Sequence, residues 1–220
     1  MIESVRVVGH GRAGSAIASR LEQRGVALRD GDDADLVLLC VPDAAIAEVA
    51  RTVPIGPWIA HVSGATPLAA LDPHRRRFSV HPLQTLTRDR GAEQLDGAYA
   101  AVTFETDDAA AQANWLAHTL GLRPFPLADA DRALYHAGAT IASNFLVTLY
   151  RTAALLFEQS GAPPEGLVPL MRRTIENGFQ LTGPIARGDT STVEAHLAAL
   201  RERAPEIEPL YRALAKATRP

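Results

Sequence analysis

A glycine pattern near the N-terminus constrains what this chain can fold into more than any other feature. The apolar run SVRVV precedes Gly9, Gly11 and Gly14, which have the spacing G-x-G-x-x-G, and a helical pattern of apolar residues follows them. Between a strand and a helix, these glycines permit a tight turn, a close approach of backbone N–H groups to a pyrophosphate, and close helix packing. The loop, with Arg12 and Ala13 inside it, therefore predicts a dinucleotide site. A glycine-rich turn that binds nothing is the alternative.

The interval after this helix is too short for an ordinary Rossmann half. Residues 26–30 are the only candidate for a second strand, and the next buried strand starts soon after them. Parallel strands need a connection of a dozen or more residues, so the second strand is expected to be vestigial or followed by an irregular loop. Arg29 is a candidate to bind a 2′-phosphate, and Asp30, Asp32 or Asp33 is a candidate to bind a ribose hydroxyl. The alternative is that this loop is only a solvated acidic segment. NADP is the expected cofactor and NAD the alternative.

Composition argues against several classes of partner. The formal net charge of −3 gives no electrostatic footprint for nucleic acid or an anionic membrane. The only cysteine lies in an apolar strand pattern and has no disulfide partner. No signal peptide or apolar run of transmembrane length is recognised in the sequence. A cytoplasmic protein is therefore expected. The seven histidines are scattered, which predicts no metal site. The only lysine is Lys216, so a central catalytic lysine is excluded.

The order of the patterns predicts an α/β fold with two domains. Strand and helix patterns alternate through residues 1–127, which predicts a Rossmann-like, largely parallel sheet with helices on its faces. Residues 128–220 are helical throughout. Their first helix is apolar on nearly every side, which predicts a central buried helix and a homodimer formed through this small domain. Ser191 and Glu194 have the spacing of a capping box for a later helix.

Several candidate site residues follow the ends of predicted strands, where ligands bind in open α/β sheets. Val41, Pro42 and Ser63 are expected near the cofactor, although Ser63 is equally suited to a turn. His81 is expected to have a pKa near neutrality and to donate a proton to a carbonyl or imine that receives hydride, with Gln84 beside the substrate. A structural role for His81 is the alternative.

A second set of candidates lies in the helical half. On a regular helix, His136, Thr140 and Asn144 form one polar line, with Ser143 beside it. This line is expected to face a cleft and bind substrate and nicotinamide, although a neighbouring helix or a second subunit would also supply partners. Arg187, in a loop with Asp189, is suited to a substrate carboxylate or to pairing with that aspartate.

These segments together resemble a known family. GHGRAGSAIASRL, HVSGA, SVHPLQT, YHAGATIASN and LTGPIARGDTSTVEAHLAAL are similar to bacterial Rossmann-like proteins with a DUF2520 domain, which are related to pyrroline-5-carboxylate reductase and, more remotely, to ketopantoate reductase and 6-phosphogluconate dehydrogenase. The resemblance implies an NADP-type site, a helical dimerisation domain and an active cleft between the two domains. It implies active-site roles for His81, His136 and Asn144. The chain departs from the family pattern at Arg132, where lysine is frequent, and in the shortened region after the first helix.

The sequence thus predicts an NAD(P)-dependent reductase or dehydrogenase acting on a small carbonyl, imine or hydroxy acid. A degenerate Rossmann protein that binds a nucleotide or metabolite weakly, or serves as a dimeric interaction module, is the main alternative. A reductase that uses a deazaflavin is a third reading.

Overall fold

The computed structural model describes residues 2–31 and 33–218. Asp32, one of the predicted ribose contacts, lies outside the described residues. The chain forms two compact units, Met1–Ser143 and Asn144–Pro220. The predicted boundary at residue 127 differs from this division, because the first helix after it contacts the sheet and belongs to the first unit.

A seven-stranded sheet forms the centre of the first unit and confirms the predicted α/β class. Its strand order is β2-β1-β3-β4-β5-β6-β7, and every neighbouring pair is parallel except β5 and β6. The strands are β1 (Ser4–Val8), β2 (Ala27–Leu28), β3 (Leu36–Leu39), β4 (Trp58–His61), β5 (Arg77–Pro82), β6 (Tyr99–Phe104) and β7 (Arg123–Pro126).

Helices cover both faces of this sheet, as a mainly parallel sheet requires. On one face, apolar residues of α1 (Arg12–Gln23) and α3 (Asp107–Thr119) join a large buried cluster with the sheet. On the other face, α2 (Ile46–Thr52) packs over a smaller cluster. The unit also contains α4 (Arg132–Thr140).

The second strand is vestigial, as predicted. Ala27 and Leu28 pair with Ser4 and Val5 of β1, and the chain then passes through a loop directly to β3 on the opposite side of β1. An ordinary Rossmann half would place a longer strand and a helix here. The side of the sheet that normally holds an adenosine ribose is consequently reduced to two strand residues and a loop.

The second unit is entirely helical in its described part. A π-helical turn, Ile141–Phe145, lies at the boundary of the units, and the helices that follow are α5 (Leu146–Ser160), α6 (Leu167–Glu176), α7 (Thr190–Arg203) and α8 (Glu208–Ala217). A small buried cluster joins Leu200, Ala204 and Ile207, and Leu156 and Tyr211 pack against it.

Two predictions for the helical region are wrong. Helix α5 has no buried residue in the single chain and exposes Leu146, Val147, Leu149 and Leu155, because no described element covers these side chains. The predicted capping box is absent from α7. Asp189 caps this helix instead, and its carboxylate accepts hydrogen bonds from the Thr192 N–H at 3.1 Å and the Thr192 and Ser191 hydroxyls.

The expectation that the chain holds no apolar run of transmembrane length is also corrected. The helical stretch Asp129–Ser160 is long and apolar enough to cross a membrane by length and composition alone. This criterion is weak evidence, because long apolar helices of soluble proteins also meet it. Arg132, near the start of the stretch, is buried against the sheet of the first unit.

Candidate functional site

The predicted glycine loop has the conformation that a pyrophosphate site needs. Gly9 has a φ of +104°, and a Cβ there would lie 2.6 Å from the carbonyl oxygen of Cys40. A Cβ at Gly14 would lie 1.8 Å from the carbonyl oxygen of Gly9, so neither position accepts a side chain. At Gly11, which precedes α1, a Cβ would meet no described atom within 4 Å. This open side and the N–H groups of the first turn of α1, which have no partners within the helix, fit a bound pyrophosphate.

A cavity of about 310 Å³ adjoins this loop and is lined by three arginines. Arg12 and neighbouring residues of α1 form one side, and residues 87, 88 and 90–92, between β5 and β6, form the other. Arg88 and Arg90 therefore approach the same space as the glycine loop, although Arg90 also lies 3.8 Å from Glu93. Sequence reasoning missed both arginines; the run TRDRG, a few residues beyond His81, was the available signal.

A buried glutamine holds the arginine-bearing segment in place. The Gln94 Oε1 accepts hydrogen bonds from the Thr87 N–H and hydroxyl, at 2.8 and 3.2 Å. Its Nε2 donates to the carbonyl oxygens of Thr87, Arg90 and Gly91. The side chain is 4% exposed, so segment 87–91 has a defined conformation rather than being a loose surface loop.

The other predicted cofactor residues are mostly engaged elsewhere. Arg29 forms an exposed ion pair with Asp33 at 3.1 Å. Val41 lies beside the glycine loop, with Cγ1 3.2 Å from the position of a Gly9 Cβ, and Pro42 leads into a short 3₁₀ turn. The Ser63 hydroxyl donates to the Thr66 hydroxyl and accepts from the N–H groups of residues 65 and 66, which is the turn role that its sequence also allowed.

The carboxyl ends of β4 and β5, together with α4, bring two histidines together around a glycine. A Cβ at Gly64 would lie 2.6 Å from Cδ2 of His136 and 2.8 and 2.9 Å from Cε1 and Nε2 of His81. The two imidazole rings meet edge to face, with centroids 5.9 Å apart. The absence of a side chain at Gly64 therefore makes room for both rings. His81 and His136, predicted from segments 55 residues apart, thus occupy one place.

A tyrosine that the sequence analysis did not select completes this group. The Tyr135 hydroxyl lies 2.7 Å from the Nδ1 of His81, and the two rings are perpendicular, with centroids 5.5 Å apart. Phe125 also packs against the tyrosine ring, with centroids 6.0 Å apart. The position of Tyr135 directly before His136 was the signal in the sequence that this tyrosine belongs to the site.

A buried arginine lies beside these rings. Arg132 is 1% exposed and donates from Nη1 to the hydroxyls of Ser79 and Thr103, at 2.7 and 2.8 Å. Its Nη2 donates to the Ser63 carbonyl oxygen, and its Nε lies 3.9 Å from Asp129. Arginine stays protonated in proteins, so this side chain is a fixed positive charge that cannot act as a base.

A third histidine is fully buried next to this charge. The Nδ1 of His61 accepts the Ser63 N–H at 3.2 Å, which leaves the ring proton on Nε2. Burial, with smaller contributions from Arg132 and His81, lowers the pKa of His61 to about 3. His61 is therefore a neutral structural residue. Among the described residues, its Nε2 and the Nε of Arg132 are buried without a hydrogen-bond partner.

The predicted near-neutral pKa of His81 is wrong. Burial, with smaller contributions from His136 and Arg132, lowers the pKa of His81 to about 4, and Asp43 only partly opposes this shift. The ring is consequently neutral at pH 7 and does not donate a proton as an imidazolium ion. A neutral imidazole still donates a hydrogen bond from one nitrogen and accepts one at the other.

The remaining predicted substrate residues do not form the expected continuous line. The α-helical spacing that relates His136 and Thr140 ends at the π-helical turn, because a π-turn holds an additional residue in each hydrogen-bonded ring. Ser143 donates its hydroxyl to the Ala139 carbonyl oxygen at 2.7 Å. Gln84 hydrogen-bonds within its own loop, through the Gln94 carbonyl oxygen and the Thr85 N–H.

Two predicted residues belong to the second unit. Asn144 is exposed and starts that unit, and Arg187 is exposed in the loop before α7, where it lines a cavity of about 670 Å³. Their part in a substrate site stays a prediction. Within residues 2–31 and 33–218, no group of three or more histidine, cysteine or acidic residues is placed to hold a metal ion.

The second half of the chain identifies its family. The sequence profile described as a domain of unknown function, DUF2520, matches residues 98–218, which is more than half of the 220 residues. The chain belongs to this family. No curated protein sequence matches the DUF2520 chain at a significant level.

Solved structures share the fold of this DUF2520 protein. A candidate NADP oxidoreductase from Bacteroides fragilis is 20% identical, with a TM-score of 0.81 over 98% of this chain and 97% of that one. An imine reductase from Aspergillus terreus, solved with NADPH4 and dibenz[c,e]azepine, is 16% identical, with a TM-score of 0.66 over 99% and 95%. The 1-pyrroline-5-carboxylate reductase of Streptococcus pyogenes is 14% identical, with a TM-score of 0.61 over 98% and 96%. At these identities the likeness shows a shared fold, and the Rossmann-like resemblance is confirmed.

Substitution of Gly64 tests whether this glycine holds the histidine pair. We expect Gly64→Ala to shift the ring proton resonances of both His81 and His136, because the added methyl group would overlap both rings. Gly138→Ala on α4 is the matched control, since a Cβ there meets no described atom within 4 Å and alanine favours the helix. Unchanged histidine resonances in folded Gly64→Ala would contradict the assigned geometry.

Acidification should destabilise the folded chain before its carboxylates protonate. His61 and His81 have folded pKa values of about 3 and 4 against an ordinary 6.5, so the unfolded chain binds more protons below pH 6.5. The free energy of unfolding should therefore fall from pH 6.5 to pH 5, by up to about 1.4 kcal/mol per pH unit for each histidine. Urea unfolding across this range measures the slope. The slope should decrease in His81→Gln, and an unchanged slope in that variant would contradict the assignment.

Proposed function

We propose that this protein is an NAD(P)-dependent oxidoreductase acting on a small carbonyl, imine or hydroxy-acid metabolite. One observation carries the proposal: the glycine loop follows the carboxyl end of β1, and the His81–His136 pair lies against Gly64 at the carboxyl ends of β4 and β5, which are parallel to β1. Both therefore lie at the edge of the sheet where open α/β folds bind ligands.

A nicotinamide dinucleotide would supply or accept the hydride and its two electrons. In our proposal the glycine loop and the first turn of α1 hold its pyrophosphate, while Arg12, Arg88 and Arg90 provide positive charge beside it. We favour NADP over NAD, because these arginines add positive charge to the site and the vestigial second strand offers little to a ribose hydroxyl. In this arrangement Ser63 contributes to the cofactor site through the backbone of its turn rather than through its hydroxyl.

The histidine pair would bind and orient the substrate. His81, which is neutral at pH 7, and His136 are suited to hydrogen-bond the oxygen or nitrogen of a polarised double bond. The fold shared with an imine reductase and a pyrroline-5-carboxylate reductase supports a carbonyl or imine substrate. Thr140, Asn144 and Arg187 remain proposed substrate contacts. A reducing cytoplasmic location suits such a protein and its single free cysteine.

One structural observation favours a different function. The two-residue β2 removes most of the adenosine side of the site, which suits a non-enzymatic Rossmann protein that binds a metabolite weakly. The buried arrangement of Arg132, Tyr135 and His81 favours the enzyme, because a binding module has no need to maintain a desolvated charge beside a tyrosine–histidine pair.

Calorimetric titration with NADPH, NADH and their oxidised forms tests the cofactor assignment. We expect micromolar binding of NADPH that is tighter than that of NADH. The double variant Arg88→Ser, Arg90→Ser should weaken NADPH binding about 10-fold to 100-fold, as expected for loss of hydrogen bonds to a charged group. Arg51→Ser, on α2, is the control for loss of an exposed arginine. Failure of the unmodified protein to bind any of the four nucleotides would reject the oxidoreductase proposal.

We also propose that the second unit forms a homodimer. Its small cluster leaves large apolar side chains exposed on two helices, which exceeds what a stable solitary unit usually exposes. These side chains are Leu146, Val147, Leu149 and Leu155 on α5 and Val168, Leu170 and Ile175 on α6.

Light scattering on the purified protein measures this association. The unmodified chain should have twice the monomer mass, and Leu149→Glu combined with Leu170→Glu should give monomers, because buried carboxylates at an apolar interface are strongly unfavourable. Glu202→Lys on α7 changes an exposed charge away from these helices and should leave the dimer intact. A monomeric unmodified protein at micromolar concentration would be incompatible with the proposal.

A further inference from the structure

The contact between Tyr135 and His81 has the geometry of a proton relay. The hydroxyl lies 2.7 Å from Nδ1, and ring packing against Phe125 and His81 fixes the orientation of the tyrosine. The opposite ring nitrogen, Nε2, lies beside Gly64, 2.9 Å from the position of a Cβ on that residue. One end of the imidazole thus contacts a phenol, and the other end lies at Gly64, beside the His136 ring.

The charge of Arg132 favours one direction of proton transfer. This guanidinium group is held by Ser79, Thr103 and the Ser63 carbonyl oxygen, so it cannot move away from the rings. A fixed positive charge disfavours an added proton on His81 and stabilises negative charge on Tyr135. In agreement, Arg132 contributes to lowering the pKa of His81 and opposes the rise in the pKa of Tyr135, which burial takes to about 12.

We propose that Tyr135 is the proton source of this site, acting through His81, with Arg132 as the positioning residue that stabilises the resulting tyrosinate. This inference rests on the proposed reductase function. It assigns His81 the role of a neutral relay that contacts substrate, rather than that of an imidazolium acid.

The proton transfers balance in the direction of reduction. As the substrate carbon receives hydride, the bond between His81 Nε2 and its proton breaks, and a bond forms from that proton to the substrate oxygen or nitrogen. The Tyr135 O–H bond breaks at the same time, and its proton bonds to Nδ1. His81 therefore stays neutral and ends as the other tautomer. Tyrosinate remains beside Arg132 until water returns a proton and the tautomer resets.

The groups facing His81 predict an unusual pH dependence. They are Tyr135, His136 and Arg132 on α4, Asp43 before α2, and His61 at the end of β4. A relay that starts from neutral imidazole and neutral phenol does not lose its proton between pH 6 and 8. An imidazolium donor with an ordinary pKa would lose activity over that range.

Nitrogen NMR of protein labelled at histidine provides a test that needs no substrate. The His81 signals, assigned by their loss in His81→Gln, should show a proton on Nε2 and a bare, hydrogen-bonded Nδ1 at pH 7. Tyr135→Phe should change the Nδ1 shift, whereas Tyr99→Phe, which removes an exposed hydroxyl elsewhere in the same aromatic group, should not. A proton on Nδ1 of the unmodified protein would overturn the proposal, because Tyr135 would then be the acceptor.

Turnover with NADPH and a panel of small carbonyls and cyclic imines provides the second readout. Tyr135→Phe should reduce kcat about 10²-fold, with Tyr99→Phe unaffected, and the kcat of the unmodified protein should be constant from pH 6 to 8. Arg132→Lys, which keeps the charge, should retain more activity than Arg132→Met. Normal turnover by Tyr135→Phe, or a decline in kcat with an apparent pKa of 6 to 7, would reject the relay while leaving the reductase function intact. If NADPH does not bind, the function itself fails, and the NMR result still decides the direction of the Tyr135–His81 hydrogen bond.

Discussion

The buried guanidinium group of Arg132 is the interaction on which the candidate site depends. Taking this charge out of water costs several kcal/mol, and the folded state offsets the cost with hydrogen bonds that Arg132 donates to two strands and a loop. Those partners are Ser79 on β5, Thr103 on β6 and the backbone of Ser63. Because Arg132 starts α4, the same bonds fix where Tyr135 and His136 lie relative to His81.

The features that the sequence predicted well are local or limited by chain length. The G-x-G-x-x-G loop is recognisable because its steric requirements come from residues a few positions apart. The loss of the second strand follows from a simple count of residues between two apolar runs. His81 and His136, which the structure places side by side, were selected because one lies near the end of a strand and the other in a polar stretch of an apolar helix; their catalytic roles stay predictions.

What the sequence did not predict depends on contacts between distant segments. No local sequence pattern indicates that Gln94 would hold the segment of Arg88 and Arg90 beside α1. Nor does one indicate that Tyr135 would contact His81. The low pKa of His81 was not predicted, because it results from burial beside the segment that carries Arg132 and His136. The residue type alone does not reveal that contact. The cap of α7 was placed two residues too late, because Asp189 and Ser191 are both good capping residues and only the backbone conformation decides between them.

The two edges of the sheet are poorly suited to pairing with a further strand. At one edge, β2 offers only two residues of unpaired backbone, and at the other, β7 is the sequence RPFP, in which Pro124 and Pro126 lack the N–H that a further strand would require. Neither edge can nucleate a continuous intermolecular sheet. The fold therefore suppresses strand addition, and with it a common route to aggregation, while the apolar helices of the second unit stay available for specific association.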